Sequence, residues 1–249
     1  MKGSNLAEKV EYLSSKIIPF RHGYFTRAGG VSPKPFDSLN ITTREGDTAK
    51  NVAENRKRAL AALKLKPQNL AFLDHLEHSD RILAATSAAK GLDFDGYDAI
   101  MTNDAEVVLG IGVADCAIIT LASEQDGAIA LVHSGWRGTY ADVVPKVVEA
   151  MAEEYGVDPA NLKAVIGPHH TVETYEFGKE VHDYFDDRYI VERDGSLYLD
   201  LLLAIEDQLV ESGVTNFTNF DVNTYTDDRF FSYRRDNGDT GRFFVVATL

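Results

Sequence analysis

The strongest constraint on the fold is a pair of long apolar, β-branched runs near the middle of the chain. The first run, "EVVLGIGVADCAIITLA", covers residues 106–122, and the second, "AIALVHSG", covers residues 128–135. Apolar runs that do not alternate with polar residues are typical of strands buried on both faces. Asp126-Gly127 between the two runs predicts a hairpin. The chain therefore needs a central sheet that is covered on both sides.

The rest of the chain alternates between helix and strand patterns. Asp47 or Thr48 is the expected N-cap of a helix in "GDTAKNVAENRKRALAALKL", and a valine-rich stripe predicts another helix from Val143 to near Gly156. Further helices are predicted in "EFGKEVHDYF" (176–185) and "LDLLLAIEDQLVESG" (199–213), and strands in "YDAIMTND" (97–104), "LKAVIGP" (162–168), "TNFTNFDV" (215–222), "GRFFVVATL" (241–249) and the start of the segment 22–40, which continues as an ordered loop. This alternation is typical of the α/β class. The 249 residues contain no low-complexity linker and suit one large domain or two halves in close contact.

Charge and composition limit the classes of binding partner and the compartment that we expect. The net charge of −14 repels nucleic acid and anionic lipid, so we expect neither as a partner. The single cysteine excludes an internal disulfide, and the polar N-terminal residues lack the apolar core of a signal peptide. No run approaches the roughly 18 apolar residues that a membrane span needs. We expect a cytoplasmic protein with no obligate protein partner.

The only cysteine and two histidines are candidate metal ligands. Cys116 lies at a strand junction and His133 ends the next apolar strand of the hairpin, so the two lie near the same end of an antiparallel pair. His78 in "HLEHSDRI" is the third candidate, and His75 competes with it. Two imidazoles and one thiolate suit Zn²⁺ and leave one position open for water or substrate. A buried structural cysteine and a surface histidine are the commoner fates of both residue types.

Several arginines in glycine-containing loops form a second candidate group. They are Arg27 in "FTRAGG", Arg137 in "GWRGT", and Arg234, Arg235 and Arg242 in "SYRRDNGDTGR". Guanidinium groups in such loops suit a phosphate or carboxylate, although each has as its alternative a salt bridge to one of 39 acidic residues. His169 and His170 follow "IGP" at a strand end and are weaker candidates for the same pocket. We expect Trp136 to pack rather than to stack on a ligand.

Taken together, the motifs resemble one family over His22 to the C-terminus. The motifs occur in the order "HGYFTRAGGVS", "GDTAKNVAENR", "HSDRI", "DAIMTND", "VADC", "LVHSGWRGT", "IGP", "YEFGKEV", "DL" and "FFSYRRDNGDTGR". This order is similar to that of the laccase-domain family, also called the peptidoglycan editing factor or multicopper polyphenol oxidase family. The resemblance implies a single α/β (α+β) domain over residues 1–249, with mixed sheets flanked by helices. It also implies an architecture like that of a cytotoxic-necrotizing-factor cysteine hydrolase.

The resemblance also implies a function and a site. It implies a zinc-dependent purine nucleoside enzyme that phosphorolyses adenosine, inosine, guanosine and methylthioadenosine, with adenosine deaminase activity. Its metal ligands carry over to His78, Cys116 and His133, and we assign catalysis to Cys116, His133 and Asp115. Asp115 is a proton shuttle or a group that orients a ligand. The expected phosphate-binding residues are Arg27, Arg137 and Arg242.

This chain departs from the family pattern near these residues. Leu76-Glu77 stands where Gln-Val is common before the first ligand, Ile118 replaces a proline, Ser134 replaces an alanine and Asn223 replaces a cysteine. None of the departures removes a ligand. The loss of the glutamine changes pocket polarity and hence bears on substrate choice.

Three other functions compete with the nucleoside enzyme. A four-copper laccase needs about ten histidines, largely in His-x-His pairs, whereas this chain has seven histidines and no such pair. Copper in place of zinc at the single His-His-Cys site remains an alternative. A Cys-His hydrolase would use Cys116 as nucleophile and His133 as base, on amide bonds of cell-wall precursors. A protein that binds a nucleotide or wall fragment without turnover is the third alternative.

Overall fold

Two six-stranded sheets and one three-stranded sheet organise residues 9–249, the part of the chain that the computed structural model describes. The strands are β1 (Tyr12–Leu13), β2 (His22–Phe25), β3 (Leu70–His75), β4 (Ile82–Ala84), β5 (Leu92–Asp95), β6 (Ala99–Thr102), β7 (Val108–Val113), β8 (Ala117–Ser123), β9 (Ala128–Ser134), β10 (Lys163–Ile166), β11 (Glu176–Phe177), β12 (Ile190–Arg193), β13 (Ser196–Leu199), β14 (Asn216–Asn219) and β15 (Phe243–Ala247). The helices are α1 (Ala49–Ala62), α2 (Trp136–Tyr140), α3 (Val143–Tyr155) and α4 (Leu201–Glu211). The arrangement is mixed α/β with few helices.

The central run of the sequence crosses between the two large sheets. The first sheet has the order β1-β2-β15-β7-β3-β5 and the second β14-β10-β8-β9-β6-β4. β7 belongs to the first and β8 to the second, so residues 114–116 carry the chain from one sheet to the other. The predicted hairpin is confirmed, since β8 and β9 pair antiparallel from Ala117 opposite Ser134 to Ser123 opposite Ala128. Both sheets contain parallel and antiparallel pairs, and the small sheet has the order β11-β13-β12.

Side-chain alternation along the central strands separates the layers. On β15, Phe243 and Val245 face a core shared by the two sheets, whereas Phe244 and Val246 face a core with α1. On β8, Ile118 faces the shared core, and the neighbouring odd-numbered residues face α3 and α4. Because successive strand side chains point to opposite faces, continuous apolar runs bury both faces of each sheet.

Most predicted elements form, and one prediction is wrong. The predicted helices within the segments that hold α1, α3 and α4 are confirmed, with Thr48 as the N-cap of α1, since its side chain accepts from the Asn51 amide. The segment 176–185 is not an α-helix: it starts as strand β11 and continues as a 3-10 turn over Lys179–Asp183. Pairing of β11 with β13 overrides the helical pattern there. No helix in the described residues combines the length and apolarity that crossing a bilayer requires.

A candidate metal centre at the sheet crossover

A pocket of about 470 Å³ opens where the chain crosses between the large sheets. Its wall includes the crossover residues, the end of β9, and the loops that follow β3 and precede β15. Cavities of this size accommodate small molecules. The lining mixes arginines with aromatic side chains, among them Tyr175, Tyr233 and Trp136.

The structure brings the three predicted ligands together. One donor atom each from His78, Cys116 and His133 lies within 4.8 Å of the other two. Cys116 precedes β8 directly, and His133 lies opposite Ile118 on β9, so the hairpin register sets their proximity. His75 is not part of this group; its ring contacts the Glu77 carboxylate at 3.5 Å.

Asp98 holds both histidines in place, although the sequence analysis gave it no role. It is fully buried just before β6, and its Oδ1 accepts from the His133 Nδ1 at 2.8 Å and from the His78 backbone N–H at 2.9 Å. Its Oδ2 accepts from the Ser79 backbone and hydroxyl, both at 2.8 Å. His78 has a left-handed φ of 55°, and the loop around it is thus held by hydrogen bonds to a single carboxylate. Because Nδ1 of His133 donates to Asp98, Nε2 is the ring nitrogen that remains to bind an ion once it has lost its proton.

The electrostatics of the group follow from burial and close charges. Burial alone would lower the pKa of His133, but the Cys116 sulfur and the Asp98 carboxylate together raise it to about 9. Burial would raise the pKa of Asp98, and its hydrogen bonds and the charge of His133 bring it to about 2. The pKa of His78 falls to about 4, chiefly through partial loss of solvent around its ring and then through the positive charge of His133. His78 therefore offers a neutral imidazole at neutral pH.

The donor set fits a soft divalent ion. Zn²⁺ prefers imidazole nitrogen and thiolate sulfur, and three protein ligands leave one position for water or substrate. Carboxylate-imidazole contacts such as Asp98 to His133 commonly orient such ligands. Gly135 leaves room beside them, since a Cβ there would lie 2.7 Å from the Cys116 sulfur. The three donors thus form a site for one ion. A glycine follows β9 because a side chain there would collide with the Cys116 sulfur.

Asp115 braces the pocket wall. Its backbone has a left-handed φ of 76°, and its carboxylate accepts from the Thr224 hydroxyl and the Arg234 backbone N–H, both at 2.7 Å. Both carboxylate oxygens are therefore occupied by residues of the loop before β15. This arrangement favours an orienting role for Asp115 over a proton shuttle.

The predicted arginines separate into two groups. Arg137 and Arg234 line the pocket, and within residues 9–249 neither has a carboxylate partner. Arg242 also lines the pocket but pairs with Glu45 at 2.6 Å. Arg27 is not brought to the pocket: it pairs with Asp37 and lies over the Phe231 ring. Arg235 pairs with Asp236 and likewise lies outside the lining.

The two adjacent histidines and the tryptophan take different positions. His170 lines the pocket, whereas His169 is buried outside the lining, with Nδ1 bonded to the Gly167 carbonyl. Trp136 lines the pocket and packs edge-on against Phe177. Sequence reasoning missed Tyr175 and Tyr233, which are ordinary aromatic positions until the fold places them in the pocket wall.

Two mixed sheets, few helices and a pocket that gathers two imidazoles and a thiol define a class: a mixed α/β protein with a candidate metal centre. The chain belongs to the multi-copper polyphenol oxidoreductase laccase family, whose sequence profile matches residues 21–249. The family resemblance drawn from the motifs is therefore confirmed. Membership of this family implies a metal.

Relatives cover nearly the whole chain. A protein named purine nucleoside phosphorylase from Deinococcus radiodurans is 36% identical over 98% of this chain and 94% of its own length. One of the same name from Corynebacterium glutamicum is 31% identical, with 96% and 98% covered. The solved structure of the hypothetical protein YfiH from Bacillus licheniformis has a TM-score of 0.86, 27% identity and 92% of each chain covered. YlmD from Geobacillus stearothermophilus has a TM-score of 0.86 and 28% identity, with 91% of this chain and 90% of that chain covered.

Proposed function

We propose that the protein is a zinc-dependent purine nucleoside phosphorylase. The observation that carries the proposal is that one pocket holds the His-Cys-His group together with two guanidinium groups, of Arg137 and Arg234, that no carboxylate of the described residues neutralises. Free guanidinium groups suit a phosphate dianion. The names of the Deinococcus and Corynebacterium relatives agree with this chemistry.

The reaction assigns a task to each part of the pocket. A phosphate oxygen bonds to the anomeric carbon while the bond from that carbon to the base nitrogen breaks, and the base leaves with the electron pair and takes up a proton. Arg137 and Arg234 hold the phosphate and neutralise charge near the reacting carbon. Tyr233, which lines the pocket and is more than half exposed, offers an aromatic surface for a purine. Arg242, already paired with Glu45, has a smaller part in our assignment than the sequence gave it.

His78, Cys116 and His133 would hold the metal. When bound, Zn²⁺ supplies Lewis-acid polarisation of an oxygen or lowers the pKa of a water. Asp98 keeps Nδ1 of His133 engaged, so Nε2 is the nitrogen that would bind the metal, and with its pKa raised to about 9 His133 would give up the Nε2 proton on binding. The neutral His78 needs no such deprotonation. The substrates expected are adenosine, inosine, guanosine and methylthioadenosine, and the same site would support adenosine deamination. One group of three donors in the described residues does not provide the several copper centres of a laccase.

A second candidate rests on a specific contact. Asp98, His133 and Cys116 lie in the order acid, base and thiol, which is the arrangement of a cysteine hydrolase. An architecture like that of cytotoxic-necrotizing-factor hydrolases would accompany this activity on cell-wall amide bonds. The unpaired Arg137 and Arg234 have no evident task in that reaction, so we rank it second.

The test is product analysis with adenosine and inorganic phosphate. We expect adenine and ribose 1-phosphate from the zinc-loaded protein, with hypoxanthine or inosine appearing where deamination also occurs. Arg137→Gln should raise the KM for phosphate at least about 10-fold, while Arg27→Gln, which changes an arginine outside the pocket, should leave that KM unchanged. Release of adenine that does not depend on phosphate would contradict phosphorolysis. Hydrolysis of a cell-wall amide bond by the metal-free protein, abolished by thiol alkylation, would instead establish the hydrolase.

A further inference from the structure

The two arginines that the proposed function assigns to phosphate are held by neighbours other than carboxylates. Arg137 and Arg234 line the pocket and are exposed, so an anion can reach both. Arginine side chains lose much conformational freedom when they are ordered, and within residues 9–249 neither of these two has an acidic partner that orients it. The residues that do orient them therefore affect how tightly the pocket binds an anion.

Arg137 lies on the face of the only tryptophan in the chain. Its guanidinium carbon is 4.1 Å from the centre of the Trp136 ring, which is within the range of a cation-π contact. Both residues line the same pocket as Cys116 and His78. The Trp136 ring thus supports a positive charge in the pocket that holds the candidate metal ligands.

Arg234 is supported by an aromatic ring and by two hydrogen bonds. Its guanidinium carbon lies 5.5 Å from the centre of the Tyr175 ring, and its backbone N–H donates to the Asp115 carboxylate at 2.7 Å. Its Nη1 donates to the Glu176 carbonyl at 3.1 Å. Because a guanidinium group has several N–H donors, the others remain for a ligand.

Phe177 joins the two aromatic rings that support the arginines. Its ring contacts Trp136 edge-on at 6.2 Å and Tyr175 edge-on at 4.7 Å, and edge-to-face pairs are a favourable arrangement of aromatic rings. Tyr184 also contacts Trp136, at 5.0 Å, but Phe177 is the neighbour that Trp136 shares with Tyr175. Phe177 is partly buried and does not line the pocket, so its effect on a ligand has to pass through these rings.

One short strand therefore reaches both arginines. Glu176 and Phe177 are the two residues of β11, which pairs antiparallel with β13 of the three-stranded sheet. Glu176 holds Arg234 through its carbonyl, and Phe177 reaches Arg137 through Trp136. Both contacts depend on the strand that forms in place of the helix that the sequence predicts over 176–185.

We propose that β11 positions the two phosphate-binding arginines and that Phe177 is a positioning residue for phosphate, which acts through the Trp136 and Tyr175 rings. This inference rests on the proposed function. Without the Phe177 ring, Trp136 and Tyr175 lose their common neighbour, and the guanidinium groups adopt more orientations that do not hold a phosphate. The inference predicts weaker phosphate binding with little change in the binding of the nucleoside.

Steady-state kinetics of the zinc-loaded protein test this separation. Phe177→Leu should raise the KM for phosphate about 5-fold and change the KM for adenosine by less than about 2-fold. Phe177→Tyr keeps the ring and should keep the wild-type KM for phosphate. Phe185→Leu is the matched control, because it removes a ring of the same segment that packs against Tyr140 and Tyr189 instead. An equal rise of both KM values in Phe177→Leu, or equal phosphate KM values for the two leucine variants, would overturn the inference.

Phosphate binding is measured without turnover by the fluorescence of Trp136, the only tryptophan in the chain. Since the Arg137 guanidinium lies on this ring, inorganic phosphate added to the zinc-loaded protein should change the emission. We expect the Kd for phosphate to rise about 5-fold in Phe177→Leu and the emission change to be lost in Arg137→Gln. An equal Kd for the wild type and Phe177→Leu would overturn the inference.

The outcomes separate the two proposals. If the wild type phosphorolyses adenosine and Phe177→Leu keeps its KM for phosphate, the role of β11 is wrong and the proposed function stands. If the wild type does not phosphorolyse adenosine, the proposed function fails, and a phosphate Kd that rises in Phe177→Leu still establishes β11 as the support of an anion site. A wild type that binds no phosphate would contradict both proposals.

Thermal unfolding of each variant identifies any loss that comes from misfolding. Trp136→Leu removes the ring under Arg137 and provides a second variant, which should also raise the KM for phosphate. An unchanged KM for phosphate in a folded Trp136→Leu protein would likewise overturn the inference.

Discussion

Asp98 is the residue that turns two separate histidines into one site. A single buried carboxylate accepts from the ring of His133 on β9 and from the backbone of the loop that presents His78. Its low pKa, about 2, keeps it charged throughout the physiological range. Sequence analysis had no means of finding it, because an aspartate before an apolar strand has no distinctive pattern. Cys116 and His133 could be anticipated, since the hairpin fixes which strand ends meet.

Asp98→Asn should weaken metal binding about 10- to 100-fold, because the amide no longer fixes His133 with Nε2 free and leaves the loop at His78 less well held. Competition with a chelator measures the affinity. Asp183→Asn, at an exposed position, should have no effect. Equal affinity of Asp98→Asn and the wild type would show that Asp98 does not position the ligands.

At the scale of elements, β7, β8 and β9 present the chemistry and the loops complete it. The hairpin and three helical segments followed from periodicity and from the Asp-Gly turn. The segment 176–185 did not, because pairing with β13 is a contact between distant parts of the chain that local pattern does not encode. The arginines show the same limit: Arg27 and Arg242 pair with Asp37 and Glu45, and no spacing rule selects those two acids among 39.

The entry into α1 depends on one buried carboxylate. Asp47 accepts from the Thr48 backbone at 2.7 Å, from Asn51 at 2.9 Å, from Asn40 at 3.1 Å and from the Ser32 hydroxyl. Burial would raise the pKa of Asp47, but these donors lower it below its ordinary value of 3.8. Since the folded pKa lies below the unfolded one, the stabilisation is present at neutral pH and is lost as the pH falls below about 4.

Asp47→Asn should therefore lower the free energy of unfolding by about 1–3 kcal/mol at pH 7, and by less at pH 3, where the carboxyl of the unfolded chain, with its ordinary pKa of 3.8, is mostly protonated and part of the stabilisation is already lost. Urea unfolding at the two pH values measures both differences. Glu153→Gln, on the exposed side of α3, is the control and should change neither. A destabilisation by Asp47→Asn that is equal at the two pH values would contradict the assignment.

At the scale of the whole molecule, the two large sheets are joined by polar as well as apolar contacts. Tyr24 of β2 is fully buried, and its hydroxyl contacts the Thr120 hydroxyl on β8 at 2.6 Å and donates to the Val165 carbonyl on β10 at 2.9 Å. Gly167 lets this ring approach, since a Cβ there would lie 2.3 Å from it. The apolar pattern predicts that the sheets are covered. The two contacts of the Tyr24 hydroxyl join residues that are 96 and 141 positions apart in the sequence, so only the folded structure reveals them.

Tyr24→Phe should destabilise the protein by about 1–3 kcal/mol, because a buried carbonyl and a buried hydroxyl lose their partner. For a chain of this size each kcal/mol corresponds to a Tm lower by about 2–4 °C. Calorimetry of the metal-loaded protein measures the change. Tyr140→Phe removes an exposed hydroxyl and should leave Tm unchanged. An unchanged Tm for Tyr24→Phe would show that the bridge between the sheets does not contribute to stability.

The central claim is that His78, Cys116 and His133 hold one ion on which nucleoside turnover depends. The most direct measurement is the ratio of bound metal to protein chain after zinc loading and dialysis, for the wild type and Cys116→Ser, with adenosine phosphorolysis measured on the same samples. We predict one equivalent and full turnover for the wild type, and loss of both for the variant. A wild-type protein that phosphorolyses adenosine without bound metal, or a variant that keeps the metal and the turnover, would contradict the account.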